Sequence, residues 1–402
     1  MVPSAITFPP SPEPLIGVLN AGSSSLKFAV YEGERQVLVG QVDGLGVRPA
    51  AKATGPDGAS IAPPDLGPEP PKTAAEAVPR ILPWTQQQLQ GRRIAALGHR
   101  VVHGGMEYGS PQIVTPAVLQ YLETLIPLAP LHQPHNLAPI RTVLTHRPDL
   151  TQVACFDTAF HRTIPEVAQA FALPYAYHEA GIRRFGFHGL SYEYIASCLP
   201  ARAPAVAAGR VVVAHLGNGA SLCALHNCKS IAVTLGFTAL DGLPMGTRCG
   251  ELDPGVVLHL IRQDHMMPEE VEDMLYRRSG MLGLSGISSD FRDLLGSTDP
   301  RARFAVEVFC YRVARNIGSL AAALGGIDAL IFTAGVGEHA VPVREAICRA
   351  CGWLGLELDD AANRRHGPQI SAPGSQVLAY VIPTDENLMI ARHTRSLLTQ
   401  AS

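Results

Sequence analysis

One pattern occurs in both halves of this chain: an apolar run, a small turn rich in Gly, Ser or Asn, and a second apolar run. Residues 15–28 contain LIGVLNAGSSSLKF, and residues 210–225 contain RVVVAHLGNGASLCAL. Each copy predicts two strands joined by a tight turn. Because the copies lie far apart in the chain, they indicate a duplicated architecture in which two similar domains face each other and hold a ligand between them.

The turn of the first copy is suited to an anion. A turn this small lets backbone N–H groups converge on one anion, while Ser23, Ser24 and Ser25 add hydroxyl donors and Lys27 adds a fixed charge. The segment is not a Walker A loop, because Phe28 follows the lysine and the apolar pattern continues as a strand. Taken alone, the turn also fits an ordinary β-hairpin that binds nothing, and that alternative stays open.

Two further Gly-rich turns favour the interpretation that the anion bound at the first turn is a phosphate group. The second copy turns at Gly217, Asn218 and Gly219, and a third turn follows an apolar run within residues 329–338, ALIFTAGVGE. Glycine lets a backbone approach a flat or anionic ligand closely. The three turns together predict a nucleotide held between the two domains.

The composition agrees with a folded enzyme of more than one domain. With 402 residues, 47% of them hydrophobic, the chain can form two or three domains with sizeable cores. The net charge of −3 predicts no general attraction to nucleic acid or to an anionic membrane, so a charged ligand must be bound locally. The chain shows neither a signal-peptide pattern nor an apolar run of membrane-spanning length, which predicts a cytoplasmic protein.

The spacing of apolar residues predicts the other elements. An irregular excursion over the surface is expected for residues 47–83, where Pro, Gly and Ala dominate. A strand over residues 152–159 exposes Asp157 at its C-terminal end, the usual position of functional groups in open α/β sheets. The helix predicted over residues 304–324 has one apolar face, suited to core packing or to a subunit interface. Strands are also predicted over residues 36–42 and 96–105, the latter ending in a loop with Arg100 and His103, and helices over residues 115–126 and 387–398.

Two arginines and three histidines are candidates for phosphoryl chemistry, which needs positive charge and hydrogen-bond donors around the transferring group. Arg100 and Arg248 lie in Gly-rich segments, GHRVVHGG and MGTRCG, which favours ligand contact over a surface ion pair. His188, His132 and His215 are suited to donate to a phosphoryl group, although structural or solvated histidines are more common in such positions.

Two carboxylates, Asp157 and Glu386, lie beside Thr at the ends of predicted strands. A carboxylate in such a position can orient Mg²⁺ or a substrate. The residues leave two alternatives open: a helix cap for Asp157, and a first-turn residue favoured by the helix dipole for Glu386.

Ten motifs occur in the order expected of the acetate kinases and cover nearly the whole chain: LNAGSSSLKF, GHRVVHGG, LAPLHQPHN, FDTAFH, FGFHGLSYEY, HLGNGASL, GFTALDGLPMGTRCGELDPG, GISSDFRD, FTAGVGE and IPTDENLMIAR. The chain therefore resembles the acetate kinase family, which belongs to the actin and sugar-kinase superfamily. The resemblance implies a duplicated two-domain α/β fold of the actin and sugar-kinase type, with mixed β-sheets flanked by helices and an active-site cleft between the domains. The implied domains are residues 1–157 with the C-terminal helix 387–402, and residues 158–386, which bind the nucleotide and form a dimer interface.

The resemblance also implies a role for each matched residue. The catalytic set comprises Arg100, Asp157, His188 and Arg248. Arg100 and Arg248 match arginines that bind the substrate carboxylate and the transferring phosphoryl group. Asp157 matches a positioning acid, and His188 matches a histidine that stabilises the transition state. The substrate positions are Arg100, Val102, Leu131, Phe187 and Ala239; the nucleotide and phosphate positions are Asn20, Ser23, Ser25, Lys27, His215, Gly217, Asn218, Gly219, Asp290, Phe291, Arg292, Gly335, Gly337, Glu338 and His339; and the metal positions are Asn20 and Glu386.

The implied activity is that of an acetate kinase, with reversible transfer of a phosphoryl group from ATP to acetate, giving ADP and acetyl phosphate, in the presence of Mg²⁺ or Mn²⁺. The family implies a cytoplasmic homodimer with no nucleic-acid or membrane partner. Two alternatives stay open: a kinase of propionate or another short-chain fatty acid, and, with less support, a non-catalytic nucleotide-binding module of the same fold.

Three segments depart from the family pattern. Residues 239–242 are Ala-Leu-Asp-Gly where the family usually has Pro-Leu-Glu-Gly, and residues 337–340 are Gly-Glu-His-Ala where it usually has Gly-Glu-Asn-Ser. Residues 232–235 are Ala-Val-Thr-Leu in place of Asp-Thr-Ser-Met. These changes leave the residues matched to phosphoryl transfer unaltered, and they concern the length of the substrate and the preference for the nucleotide.

Overall fold

A computed structural model describes residues 13–401, which form two compact units. One unit contains the described residues of Met1–Ala159 together with those of Asp385–Ser402, and the other contains Phe160–Thr384. Each unit has a mixed β-sheet with helices packed against it, so the predicted α/β class with two sheets flanked by helices is confirmed. No helix within residues 13–401 has the length and apolar character needed to cross a membrane.

The strands confirm the hairpins predicted over residues 15–28 and 210–225. They also place Arg100 on a strand, whereas the sequence predicted it in the following loop. In the first unit the strands are β1 (Leu15–Ala21), β2 (Ser25–Glu32), β3 (Arg35–Asp43), β4 (Ala50–Thr54), β5 (Ser60–Ile61), β6 (Ile94–Val101), β7 (Gln112–Ile113) and β8 (Thr151–Phe156). In the second unit they are β9 (Arg210–Leu216), β10 (Ala220–His226), β11 (Lys229–Val233), β12 (Ala329–Thr333) and β13 (Leu378–Val381).

The two sheets repeat one strand order. The first sheet runs β5-β4-β3-β2-β1-β6-β8-β7, and the second runs β11-β10-β9-β12-β13. Each sheet contains an antiparallel meander of three strands, which is β1–β3 in the first sheet and β9–β11 in the second. Two parallel strands lie beside each meander: β6 and β8 in the first sheet, and β12 and β13 in the second. In both sheets the first strand of the meander pairs with the nearer parallel strand, β6 or β12. The shared order confirms the duplication predicted from the two sequence copies.

Helices surround both sheets, and short 3₁₀ turns connect several of them. In the first unit, α1 (Ala74–Gln88), α2 (Pro116–Thr124) and α3 (Gln133–His146) precede the second unit in the chain. In the second unit the helices are α4 (Glu166–Gln169), α5 (Tyr175–Glu179), α6 (Gly189–Arg202), α7 (Pro254–Arg262), α8 (Pro268–Arg277), α9 (Gly280–Ser285), α10 (Phe291–Gly296), α11 (Pro300–Leu324), α12 (Ala334–His339), α13 (Val341–Ala350) and α14 (Asp360–Arg364). The last helix, α15 (Glu386–Ala401), belongs to the first unit.

The prediction of an irregular excursion over residues 47–83 is wrong. The segment contains β4, β5 and the first part of α1. The side chain of Thr73 accepts a hydrogen bond from the backbone N–H of Glu76 and so caps α1. The buried apolar face of this helix outweighs its two internal prolines, Pro79 and Pro83, which had suggested a break.

The helix predicted over residues 304–324 is confirmed as α11, which begins four residues earlier. Asp299 caps it and Pro300 occupies its first position, where proline needs no N–H partner. Its apolar face, with Phe309 and Val313, is buried within the second unit. This face therefore serves core packing rather than a subunit interface.

Helix α15 packs against β6 in the first unit. Gly98 permits this close approach, because a Cβ at this position would lie 2.4 Å from Oγ1 of Thr394 and 2.5 Å from Cγ2 of Ile390. The contact fixes the helix on the sheet. It places Glu386, the first residue of α15, beside the C-terminal end of β6.

Candidate active site

Arg100 and Asp157 lie at the C-terminal ends of two neighbouring parallel strands of the first unit. Arg100 is on β6, in register with Cys155 of β8, and Asp157 directly follows β8. Nε of Arg100 donates to both carboxylate oxygens at 3.1 Å, and Nη2 donates to Oδ2 at 2.7 Å. Such a fork fixes the plane of the guanidinium. Asp157 is buried, with 1% of its surface exposed, whereas the Arg100 side chain is half-buried.

Glu386 approaches the same guanidinium, with Oε2 3.7 Å from Nη1 of Arg100. Burial disfavours the charge of Arg100, but the nearby carboxylates of Asp157 and Glu386 raise its pKa overall. The first-turn position considered for Glu386 is also observed, because this residue begins α15. The first unit thus holds the guanidinium of Arg100 between two carboxylates, which fix its position.

The turn between β1 and β2 carries the residues matched to the first phosphate-binding segment. The backbone N–H of Gly22 donates to the carbonyl of Ser25 at 2.8 Å and closes the turn. Asn20 and Lys27 lie opposite each other in the antiparallel register. Ser23 and Lys27 are exposed, whereas Asn20 and Ser25 are half-buried. The turn therefore offers hydroxyl, amide and ammonium groups within a few residues of one another.

The chemistry of the two residues matched to the metal, Asn20 and Glu386, fits Mg²⁺. Amide and carboxylate oxygens are the hard ligands that this ion prefers. Residues 13–401 contain no cluster of three or more His, Cys, Asp or Glu side chains arranged to hold a metal. A Mg²⁺ ion at these two residues would complete its coordination with water and phosphate oxygens, as is usual where the ion accompanies a nucleotide.

In the second unit, the turn between β9 and β10 is closed by a hydrogen bond of 3.0 Å from the N–H of Gly217 to the carbonyl of Gly219. Asn218 is exposed at its tip, and the carbonyl of Asn218 accepts from the N–H of Gly246 at 3.0 Å. His215 is the penultimate residue of β9, with Nε2 3.9 Å from the position that a Cβ on Gly217 would take. The structure thus brings His215 together with the segment matched to the second phosphate loop.

The rings of His188 and His215 are stacked, with their centroids 4.3 Å apart and their planes at 23°. His188 precedes α6 with a φ of 58°, a left-handed backbone conformation that is uncommon outside glycine. Its Nδ1 lies 2.8 Å from Oγ of Ser221, and Nδ1 of His215 lies 2.8 Å from Oγ of Ser191. A hydroxyl group therefore fixes each ring through Nδ1.

Arg248 approaches His188 across Gly219. Nη1 of Arg248 donates to the carbonyl of Ala239 at 2.6 Å. A Cβ on Gly219 would lie 3.0 Å from both Nη2 of Arg248 and Nε2 of His188. Glycine at this position therefore keeps open a small space that a cation and an imidazole both border. A phosphoryl group, which is anionic and rich in hydrogen-bond acceptors, suits such a space.

The third Gly-rich turn begins a short helix, α12, rather than continuing as a loop. Ala334 has a φ of 64°, and its backbone N–H donates to Oε1 of Glu338 at 2.8 Å. The same oxygen accepts from the N–H of Thr384 at 3.3 Å. Gly335 is exposed and Gly337 is buried. The side chain of Glu338 therefore ties this turn to the segment that follows β13, while His339 lies exposed at the end of α12.

Arg344 is a residue that the sequence analysis missed. It is fully buried, and Nη1 donates to the carbonyls of Gly337 at 2.9 Å and Glu338 at 2.8 Å. Nε of Arg344 donates to Oδ1 of Asn363 at 2.8 Å. An arginine only six residues after the Gly-rich segment was the available signal. It supports the carbonyls of the turn matched to the nucleotide.

Asp290, Phe291 and Arg292 lie at the start of α10. Asp290 caps the helix by accepting from the N–H of Arg292, and the Arg292 side chain, which pairs with the same carboxylate, lowers the pKa of Asp290. Phe291 is buried against Phe309, with ring centroids 4.7 Å apart. The structure thus assigns these side chains helix-capping and packing contacts, and it leaves their match to the nucleotide as a prediction.

The residues matched to the acyl pocket divide between the units. In the first unit Val102 is buried, with its N–H donating to Oδ1 of Asn136 at 3.0 Å, and Leu131 is half-buried. In the second unit Ala239 is half-buried, and Phe187 is buried, with its carbonyl 2.9 Å from Nε2 of His161. The other candidate histidine, His132, directly precedes α3 in the first unit.

A family model described as "Acetokinase family" matches residues 15–392. This chain belongs to the acetokinase family. It is 55% identical to an acetate kinase of Rhodopseudomonas palustris (strain TIE-1), over 94% of this chain and 96% of the relative, and 52% identical to one of Nitrobacter hamburgensis, over 96% of each chain. A crystal structure of Porphyromonas gingivalis acetate kinase is similar, with 37% identity and a TM-score of 0.84 over 96% of this chain and 100% of that one. A Francisella tularensis propionate kinase has 33% identity and a TM-score of 0.88 over 95% and 99%.

Within the acetokinase family, two of the departing segments of this chain contact each other. Nη1 of Arg184 donates to the carbonyl of Thr234 and to Oδ2 of Asp241, both at 3.0 Å. The arginine therefore joins residues 232–235 to residues 239–242. Sequence reasoning missed Arg184, although its position directly before the Phe-Gly-Phe-His motif was a signal. The segment that carries Ala239 is held in place by Arg184 and, through the carbonyl of Ala239, by Arg248.

Proposed function

We propose that this protein catalyses the reversible transfer of a phosphoryl group from ATP to acetate, giving ADP and acetyl phosphate by direct in-line displacement. The observation that carries this proposal is the space beside Gly219, which Nη2 of Arg248 and Nε2 of His188 border beside a Gly-rich turn. Membership of the acetokinase family supports it.

The chemistry needs no general base, because the carboxylate of acetate is already a nucleophile at neutral pH. Catalysis then rests on positioning and on electrostatic stabilisation of the transferring group. Arg100 binds the acetate carboxylate, and Asp157 fixes the guanidinium of Arg100 through two nitrogens. Arg248 and His188 donate to the equatorial oxygens of the transferring phosphoryl group.

The residues that would hold Mg²⁺ are Asn20 and Glu386. When bound, Mg²⁺ neutralises charge on the nucleotide phosphates. The turns at residues 20–27 and 215–219 then bind phosphate oxygens through backbone N–H groups and hydroxyls. The turn at residues 334–338, supported by Arg344, binds the nucleoside part. Because ATP is the co-substrate, we place the reaction in the cytoplasm.

The test is an assay of acyl phosphate formation, in which hydroxylamine traps the product as a hydroxamate. We expect product with acetate that depends on both ATP and divalent metal. A purified protein that gives no product with any acid from formate to butyrate, yet binds ATP, would be the non-catalytic nucleotide-binding module instead.

A second candidate substrate is propionate. Ala239 stands where the family usually has proline, and the smaller side chain leaves a larger acyl pocket. One of the similar solved structures is described as a propionate kinase. Comparing kcat/KM for acetate, propionate and butyrate in the same assay decides the preferred substrate.

We further propose a homodimer whose interface includes α7. Within the part of the chain that the structure describes, none of the residues of this helix is buried, although its sequence is PGVVLHLIR. Val256 is 40% and Leu258 is 49% exposed. An apolar helix face left uncovered in its own unit is typical of an interface. We expect sedimentation to give a dimer for the parent protein and for Lys229→Glu, which changes an exposed residue of β11, but a monomer for Leu258→Glu. A monomeric parent protein would contradict the proposal.

A further inference from the structure

Nδ1 of His188 contacts the first of two buried hydroxyl groups that are hydrogen-bonded to each other. Nδ1 of His188 is 2.8 Å from Oγ of Ser221, and the same Oγ is hydrogen-bonded to the hydroxyl of Tyr192. Ser221 and Tyr192 are both fully buried. Burial raises the pKa of Tyr192 well above its usual value, so its hydroxyl keeps its hydrogen. Neither hydroxyl has another hydrogen-bond partner within residues 13–401.

Counting hydrogens distinguishes the protonation states of His188. If Tyr192 donates to Ser221, and Ser221 donates to Nδ1 of His188, every buried hydroxyl hydrogen has an acceptor. If instead Nδ1 carries a hydrogen and donates to Ser221, one hydroxyl hydrogen of Ser221 or Tyr192 is buried without an acceptor. This penalty applies to the neutral Nδ1–H tautomer and to the imidazolium alike. The network therefore favours one state, a neutral ring with its hydrogen on Nε2.

We propose that Ser221 is a positioning residue that keeps His188 neutral, with its hydrogen on Nε2. That nitrogen borders the space beside Gly219 that Nη2 of Arg248 also borders. His188 then presents a fixed donor to the transferring phosphoryl group without a protonation step. This role rests on the proposed phosphoryl transfer, whereas the protonation state itself does not.

The stacked partner ring has the opposite arrangement. Ser191 donates its hydroxyl hydrogen to Oγ1 of Thr384 at 2.9 Å, so it accepts from Nδ1 of His215. His215 therefore has its hydrogen on Nδ1 when neutral. The two rings, with centroids 4.3 Å apart, carry their hydrogens on opposite nitrogens, and two neutral rings stack without the repulsion of two imidazolium ions.

Nitrogen NMR of the full-length protein labelled with ¹⁵N-histidine tests the proposal directly. The signals of His188 are assigned by their loss in His188→Asn. We expect the shifts of a neutral Nε2–H imidazole at neutral pH. A neutral Nδ1–H ring or an imidazolium would overturn the proposal, whether or not the protein is active. Absence of phosphoryl transfer with the expected tautomer would overturn the proposed function alone.

Variants then measure what the hydroxyl does in the reaction. Ser221→Ala is expected to lower kcat about tenfold to hundredfold, with KM for ATP and for acetate within about twofold, because the donor acts on the transferring group. Ser221→Cys, which keeps a weak S–H donor, should be intermediate. Tyr192→Phe should retain the tautomer, because Ser221 still donates to Nδ1.

A matched control is Ser230→Ala. Ser230 is equally buried, and its Oγ lies 2.9 Å from Nδ1 of another histidine, His161. We expect kcat within about twofold of the parent protein. Unchanged kcat in a folded Ser221→Ala protein, or an equal loss in both serine variants, would contradict a role specific to His188.

Discussion

The two units share one strand order, yet the ends of their equivalent strands carry different chemical groups. In the first unit, β6 and the residue after β8 provide Arg100 and Asp157, which form an ion pair with a buried carboxylate. In the second unit, β12 and β13 lead into Ala334 and Thr384, whose backbone N–H groups bind one carboxylate oxygen of Glu338. An ion pair between two side chains thus lies at one sheet edge, whereas two backbone N–H groups bound to a side-chain carboxylate lie at the other.

This difference follows from what comes after each strand. A side chain at the end of β6 can be buried because a neighbouring strand supplies its counterion. After β12 the chain turns at once into α12 with a left-handed Ala334, whose backbone N–H donates to the Glu338 carboxylate. Duplication of a sheet thus gave two equivalent edges, and the residues that follow the strands placed different groups on each; we propose that one edge binds the acetate carboxylate and the other the nucleotide.

The largest expected effect comes from removing the charge of the first unit. Arg100→Ala should lower kcat by about 10²-fold or more, because it removes the cation that we propose orients the acetate. Arg100→Lys should restore little activity, since an ammonium group cannot reproduce the two-nitrogen contact with Asp157. Steady-state kinetics with acetate and ATP measure both.

Stability separates this role from a structural one. Arg100→Ala leaves the carboxylate of Asp157 buried without its cation, which should destabilise the protein by about 3–5 kcal/mol. The double variant Arg100→Ala/Asp157→Ala should recover much of that stability but no activity. Recovery of turnover in the double variant would show that Arg100 serves only the fold.

In the second unit, Arg248→Ala should lower kcat by a factor comparable to that of Arg100→Ala. Near-normal turnover of this variant would exclude Arg248 from the reaction.

The next effect concerns the metal, which we assign to the first unit. Activity should require a divalent cation, and Glu386→Ala should raise the Mg²⁺ concentration needed for half-maximal rate by about tenfold or more, because one of the two proposed ligands is removed. Asp385→Asn is the control: it changes the adjacent carboxylate, which accepts from the N–H of Leu388, and should leave the metal requirement unaltered. Full activity in excess chelator would contradict the assignment.

A smaller effect on kcat is expected from filling the space beside Gly219 in the second unit, compared with the same change in the β1–β2 turn of the first unit. Gly219→Ala puts a Cβ 3.0 Å from both Arg248 and His188 and should lower kcat about tenfold. Gly22→Ala, in the β1–β2 turn, puts its Cβ 3.2 Å from Oγ of Ser25, a side chain that can move, and should cost less. Gly352→Ala has no atom within 4 Å of its Cβ and serves as the control. Equal kcat in all three would show that the space beside Gly219 is not used.

Sequence reasoning predicted the strands and the duplication well, because apolar runs and Gly-rich turns are local signals. It also singled out Arg100, Asp157 and Glu386, which the first unit brings together. It missed α1, whose prolines suggested a loop, because burial of the apolar face of a helix against the sheet is a tertiary effect. It also missed Arg344 and Ser221, since the partners of a buried polar residue lie far from it in the chain.

The smallest expected effect concerns Ala239, a residue of the second unit that we assign to the acyl pocket. Replacing proline by Ala239 removes about two methylene groups, and at ~0.8 kcal/mol for each buried methylene the added room can accept one more substrate carbon. We therefore expect kcat/KM for propionate within about tenfold of that for acetate, and a stronger preference for acetate in Ala239→Pro. The carbonyl of residue 239, which accepts from Arg248, is retained in this variant, so the substitution changes the wall of the pocket without removing that contact. Measuring kcat/KM for acetate, propionate and butyrate in both proteins tests this. An acetate-to-propionate ratio that does not change would mean that Leu240 or the backbone closes the space and that Ala239 does not set the length of the substrate.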